Sequence, residues 1–105
     1  MLKRVKRRYL ALEIESDGSF SSGAFMDAVW ASVLKLYGEY GASRTGLSLI
    51  SFDMEKKFAV VRVAHLGLEM VRAALAAMTR IGDKPVVVHV LRVSGTIKAL
   101  QQKSK

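Results

Sequence analysis

This chain of 105 residues contains no cysteine, no asparagine and a single proline, and neither of its ends carries an acid. The missing cysteine removes disulfides, thiol catalysis and thiolate metal sites together, and suits an intracellular, cytoplasmic protein. His65 and His89 are its two histidines, too few for a histidine-rich metal centre; each is expected at a strand end or on a sheet face rather than in a catalytic dyad. Apolar stretches are broken by charge or alternate with polar residues, so neither a signal peptide nor a membrane span is expected. There is no Walker-type phosphate loop and no internal repeat.

The missing acids matter most. Lys3, Arg4, Lys6, Arg7 and Arg8 lie in the first eight residues and Lys98, Lys103 and Lys105 in the last eight, which together account for the formal charge of +8. The stretch from Tyr9 to Ile97 balances, with nine basic against nine acidic residues. A neutral body with two cationic ends points to a polyanion, because clustered Lys and Arg bind phosphates by releasing condensed counterions. Half of the residues are hydrophobic, enough for one core, so the domain is read as residues 1–105 with basic tails at 1–8 and 98–105.

Periodicity gives the elements. Leu10, Leu12 and Ile14 alternate with Tyr9, Ala11, Glu13 and Glu15, which predicts a first strand ended by Asp17 and Gly18. From Ser22 to Tyr37, Phe25, Met26, Val29, Trp30 and Val33 recur at helical spacing, with Ser21 or Ser22 as cap and Gly38 and Gly41 as stop; Trp30 is expected to be largely buried. Strands at about 47–53 and 58–64 form a hairpin, a second helix runs from Leu68 to about Arg80, and a last strand covers Val86 to Val93. A short helix could follow from Thr96 to Gln102.

Strand, helix, hairpin, helix, strand is the βαββαβ order of the ferredoxin-like α+β fold, a four-stranded antiparallel sheet ordered 4-1-3-2 with both helices on one face. In that topology the start of the first strand meets the end of the last, so the two basic tails converge, and Arg8 and Arg92 lie near the junction. The valine-rich third and fourth strands read as apolar on both faces, so the open face is expected to be covered by a partner, a second copy or the terminal segment through Ile97 and Leu100. Phe58, Val60, Val88, Ile97 and Leu100 are the candidate protein interface. Base stacking of the RNA-recognition type fits poorly: Lys57 to Val63 lacks the glycine–aromatic pattern, and Tyr9 and Phe58 are the rings on offer, so phosphate and shape recognition fits better. Glu13 and Glu15 share a strand face but are expected to meet solvent or basic neighbours rather than a metal. The missing asparagine argues against an acylphosphatase-like enzyme on this fold.

The runs Arg8–Ile14 (RYLALEI), Leu36–Gly41 (LYGEYG), Leu49–Asp53 (LISFD), Val60–Val63 (VVRV), Leu68–Leu75 (LEMVRAAL) and Val90–Leu100 (VLRVSGTIKAL) make the chain similar to the archaeal ribonuclease P protein component 2 family, which is shared with a subunit of eukaryotic ribonuclease P and its mitochondrial-RNA-processing relative. The resemblance implies a noncatalytic subunit of an endoribonuclease whose RNA component, with magnesium, cleaves precursor transfer RNA to give the mature 5′ end. It implies ribonuclease P RNA, precursor tRNA and the barrel-shaped protein component 3 as partners, with self-association as a further expectation and no cofactor bound by the chain itself. In the Ser94–Lys98 run, Ser94 and Thr96 could bond phosphate or cap a helical turn, Gly95 could admit close approach or a positive φ, and Lys98 adds charge. The candidate RNA-binding set is therefore Lys3, Arg4, Lys6, Arg7, Arg8, Arg92, Ser94, Gly95, Thr96 and Lys98. The alternative from another class is a small-molecule-sensing regulatory domain of the same fold.

Overall fold

The computed structural model describes residues 6–96. Their elements are β1 (Arg7–Glu15), α1 (Ser22–Ser43), β2 (Ser48–Asp53), β3 (Phe58–Ala64), a 3-10 turn (His65–Gly67), α2 (Leu68–Ala77), β4 (Arg80–Ile81), β5 (Lys84–Pro85) and β6 (Val87–Ser94). Four strands pair antiparallel in the order β2-β3-β1-β6, the expected arrangement read from the other edge with β6 in fourth place.

The core lies between the sheet and the helices. From the sheet come Leu10, Leu12, Ile14, Ala59, Val61, Val63 and Val88, and from the helices Phe25, Val29, Val71 and Leu75. Phe25 also contacts Phe20 and Phe52, with ring centroids 6.4 and 5.5 Å away, closing the end where β2 runs into its hairpin turn. Trp30 differs from expectation. It is only partly buried, at the margin between the main cluster and a smaller one of Val33, Ala42 and Ala74, because it sits beside the Phe25–Val29–Val33 stripe rather than on it.

Local chemistry sets the element ends. The Ser21 hydroxyl accepts from the Ala24 amide at 3.1 Å and caps α1. Gly38, at φ 73° and ψ −178°, breaks the helix where its sequence predicts, after which the chain coils on to Ser43. The turn into β2 is held by Thr45, which is fully buried. Its hydroxyl donates to the Ala42 carbonyl at 2.9 Å and accepts from the Leu47 amide at 3.3 Å, while its carbonyl accepts from the Ala64 amide at 2.7 Å. α2 ends three residues earlier than expected, as Met78 turns extended into the core and the Val86 amide bonds the Thr79 carbonyl at 2.9 Å. The intervening residues form the β4–β5 hairpin, where the sequence pattern predicts only the end of the helix and its stop; Gly82 supplies a φ of 64° at its turn.

Both edge strands carry a one-residue bulge. In β6, Val90 pairs with Leu12 and Arg92 with Ala11, leaving Leu91 as the extra residue; in β2, Leu49 pairs with Val61 and Ser51 with Val60, leaving Ile50. A bulge reverses the side-chain parity of everything beyond it. Phe52 thereby turns inward and Ser51 and Asp53 outward, while Val93 turns inward and Arg92 and Ser94 outward. The expectation of a β6 apolar on both faces is corrected accordingly. Its outward residues are Val87, His89, Arg92 and Ser94, and Leu91 is an exposed bulge.

Candidate nucleic-acid interface

The face of the sheet away from the helices can be laid out in rows from the registers. Ser48, Arg62, Tyr9 and Ser94 form one row, Ser51, Val60, Ala11 and Arg92 the next, and Asp53, Phe58, Glu13 and His89 a third. Arg7 lies above the first row, opposite Ala64, and Glu15 below the third, opposite Val87. Neighbours within a row have Cβ atoms about 4.5–5.5 Å apart.

Charge is sorted along the strands. Arg7, Arg62 and Arg92 occupy one half of the face with no carboxylate among its strand residues, whereas Glu13, Glu15 and Asp53 occupy the other. There Glu15 Oε1 meets His89 Nε2 at 2.9 Å. Between the halves, Ala11 and Val60 are buried beneath Tyr9 and Phe58, an apolar waist rather than a wholly apolar face.

The tail convergence holds for the residues described. Tyr9 pairs with Ser94, and a Cβ on Gly95 would lie 3.9 Å from Arg8 Nη1. Lys6 is exposed and its carbonyl accepts from the His65 amide at 2.7 Å; Arg7 is exposed; Arg8 has the helix-side parity and donates from Nη1 to the Arg7 carbonyl at 3.0 Å. After β6, the Ser94 hydroxyl accepts from the Thr96 amide at 3.2 Å and donates to the Thr96 carbonyl at 2.9 Å. This is the turn-forming use of the run. Gly95 does not adopt the positive φ its sequence permits.

Phe58 and Val60 share the open face, but Val88 does not join them. It faces the helices with 6% of its surface exposed, because its register with Ile14 gives it core parity. Lys3, Arg4, Ile97, Lys98 and Leu100 lie outside the described residues. Sequence reasoning named Tyr9 only as an available ring and missed Arg62 and Ser48 as members of the basic half; the available signal was the parity of β3, which puts Arg62 with Phe58 and Val60 on the face opposite Val61 and Val63. Two lysines near the other end, Lys57 and Lys84, are engaged in structure. Lys57 donates to the carbonyls of Ser16 and Gly18, and Lys84 to that of Ser19 at 2.7 Å, holding the loop before α1. Among the described residues there is no cluster of three acidic, histidine or cysteine groups able to hold a metal, and no helix long and apolar enough to cross a membrane.

The fold and this face define a class first: a split βαββαβ domain whose uncovered sheet face is cationic at one end. A family model described as Rpp14/Pop5 matches residues 8–105, so the chain belongs to the Rpp14/Pop5 family. Among its relatives, ribonuclease P protein component 2 of Pyrococcus horikoshii is 38% identical over 100 residues, covering 95% of this chain and 83% of that protein. The protein of the same name from Methanosarcina mazei is 35% identical, covering 95% and 84%. A chain in the cryo-EM structure of yeast ribonuclease MRP superposes with a TM-score of 0.72 at 14% identity over 98% of this chain and 94% of its own, a likeness of fold.

Proposed function

We propose that this chain is a noncatalytic protein subunit of ribonuclease P that binds and screens phosphates of the RNA subunit. The RNA, with its magnesium ions, performs the cleavage that gives precursor tRNA its mature 5′ end. The observation that carries this reading is the gathering of Arg7, Arg62 and Arg92 on one carboxylate-free half of the sheet face, at the edge where both basic tails leave the domain, in a member of the Rpp14/Pop5 family. Arginines held on paired strands need little ordering on binding and offer planar donor forks to phosphate. The barrel-shaped component 3 is the protein partner of this reading, and self-association a further one; Phe58 and Val60, beside the apolar waist, are its described interface candidates.

A ligand-sensing domain has less support. The depression of about 540 Å³ around Glu13, Glu15, Ser16, Lys56 and Lys57 is open, and Lys57 is already bonded to loop carbonyls. The test is titration of ribonuclease P RNA at several salt concentrations. Binding should fall linearly in log–log form, with a slope of about 0.7 to 0.9 per phosphate neutralised. Affinity independent of salt would reject the proposal.

A further inference from the structure

Resting on the RNA-binding reading, we propose that the basic half of the sheet face is a site for one unpaired nucleotide, with its base stacked on the Tyr9 ring and its phosphate held by Arg62 and Arg92. Tyr9 is the aromatic residue of this half; Phe58 lies two rows away, opposite Glu13. Donor-bearing residues surround Tyr9. Arg62 is across from it on β3, Ser94 across from it on β6, Ser48 lies beyond Arg62, and Arg92 is one row along. The next row in the centre of the sheet is Ala11 and Val60, 4% and 7% exposed, which pack beneath Tyr9 and Phe58, so the tyrosine rests on an apolar bed on the sheet.

A second observation points to an occupant. Arg62 Nε is buried without a hydrogen-bond partner among the described residues. A phosphate that draws this side chain outward would supply the acceptor it lacks. In a duplex both faces of a base are stacked and its pairing edge is taken, so a ring lying on a sheet can reach only a splayed-out base. Duplex RNA would engage the arginines alone. One ring at the basic end means one stacked base, in contrast to the several rings of an RNA-recognition motif.

The experiment compares a short oligouridylate with an RNA duplex of the same length, using the full chain. Tyr9→Leu keeps apolar bulk but removes the ring, and should weaken oligouridylate binding about 5- to 150-fold, the equivalent of the roughly 1–3 kcal/mol of a base–aromatic stack. Tyr9→Phe should bind as the wild type, and duplex affinity should be the same for all three proteins. Arg62→Lys keeps the charge but loses the fork, and should weaken both RNA forms, because both engage the arginines. Because Tyr9→Leu could disturb folding, the wild-type chain is also irradiated with thiouridine-containing oligouridylate, and the cross-linked peptide is expected to carry the nucleotide at Tyr9. Wild-type affinity in Tyr9→Leu together with a cross-link elsewhere overturns the nucleotide site. Salt-dependent binding of both RNA forms that ignores Tyr9 removes this inference and leaves the proposed function standing, whereas a wild-type chain that binds neither form removes both.

Discussion

The bulge at Leu91 makes an unusual demand on a deletion experiment. Removing a residue from the middle of a strand ordinarily flips every side chain on one side of the cut. If Leu91 were an ordinary register residue, its loss would turn Val86, Val88 and Val90 out of the core or Val93 out of contact with it. At about 1.5–3 kcal/mol for each fully buried valine, Val86 and Val88 alone amount to about 3–6 kcal/mol, a large share of a small domain's stability. As the unpaired residue of a bulge, 54% exposed, Leu91 should cost no more than about 1 kcal/mol, since the flanking pairs Val90–Leu12 and Arg92–Ala11 close over the gap with parity intact. The matched control deletes Arg92 instead, which also straightens the strand but seats Leu91 opposite Ala11. Both variants should melt within about 8 °C of the wild type, at about 4–8 °C per kcal/mol for a domain of this size. Only the Arg92 deletion should weaken RNA binding and flatten its salt slope, by about 0.7 to 0.9. An unfolded Leu91 deletion, or equal loss of RNA affinity in both variants, would refute the reasoning.

Phe25→Ala should destabilise by about 3–5 kcal/mol in thermal melts, because Phe25 is fully buried among Phe20, Phe52 and the sheet, whereas Trp30→Ala, at the margin of the helix layer, should cost about half as much. Thr45→Val keeps the volume but strips the Ala42 carbonyl and Leu47 amide of their partner, and should lower the urea midpoint by the equivalent of about 2 kcal/mol with an unchanged slope. Gly67→Ala should destabilise through a Cβ 2.6 Å from the Thr45 Cα, a clash with backbone that no rotamer relieves. Replacing Lys3, Arg4, Lys98, Lys103 and Lys105 with glutamine should flatten the salt dependence of RNA binding while leaving the melting midpoint in place.

Element order was legible because it rests on local signals. Alternation through Leu10, Leu12 and Ile14, the serine before Phe25 and the glycine at 38 each act within a few residues of themselves. What stayed hidden depends on a partner strand. Between Val86 and Ser94 the polar residues His89 and Arg92 stand three apart, an odd spacing that hints at a slip without saying where; only the pairing of Val90 with Leu12 and Arg92 with Ala11 shows that Leu91 is the extra residue. The same holds for Ile50. Arg92 was picked out for its nearness to the tails, yet it faces outward only because of that slip, and Val88 was assigned to the outer face for want of it. The early end of α2 is also tertiary. Ala76 and Ala77 are good helix formers, and it is the burial of Met78 and the hairpin behind it that draw the chain away.

The register also explains how a domain body with balanced charge can still orient a polyanion. Along β1 the face runs from Arg7 and Tyr9 to Glu13 and Glu15, and six residues from Tyr9 to Glu15 span about 20 Å at roughly 3.3 Å each. Exposed charges are screened over about 8 Å at physiological ionic strength. Glu15 therefore lies beyond screening range of Arg7 and Arg62 and does not cancel them, whereas Glu13, one row or about 7 Å along the strand from Arg92, offsets that residue in part, so an approaching phosphate backbone meets the strongest field at Arg7 and Arg62. In the proposed RNA-binding role, the carboxylates at the far end would repel strands of RNA that overrun the site. Reversing Glu13 and Glu15 to lysine should accordingly let RNA bind in more than one position, seen as a second, weaker binding step in a titration, while the affinity of the first step changes little. A single step strengthened as a whole would mean that the two halves act as one field, and that the sorting of charge along the strands has no part in positioning RNA.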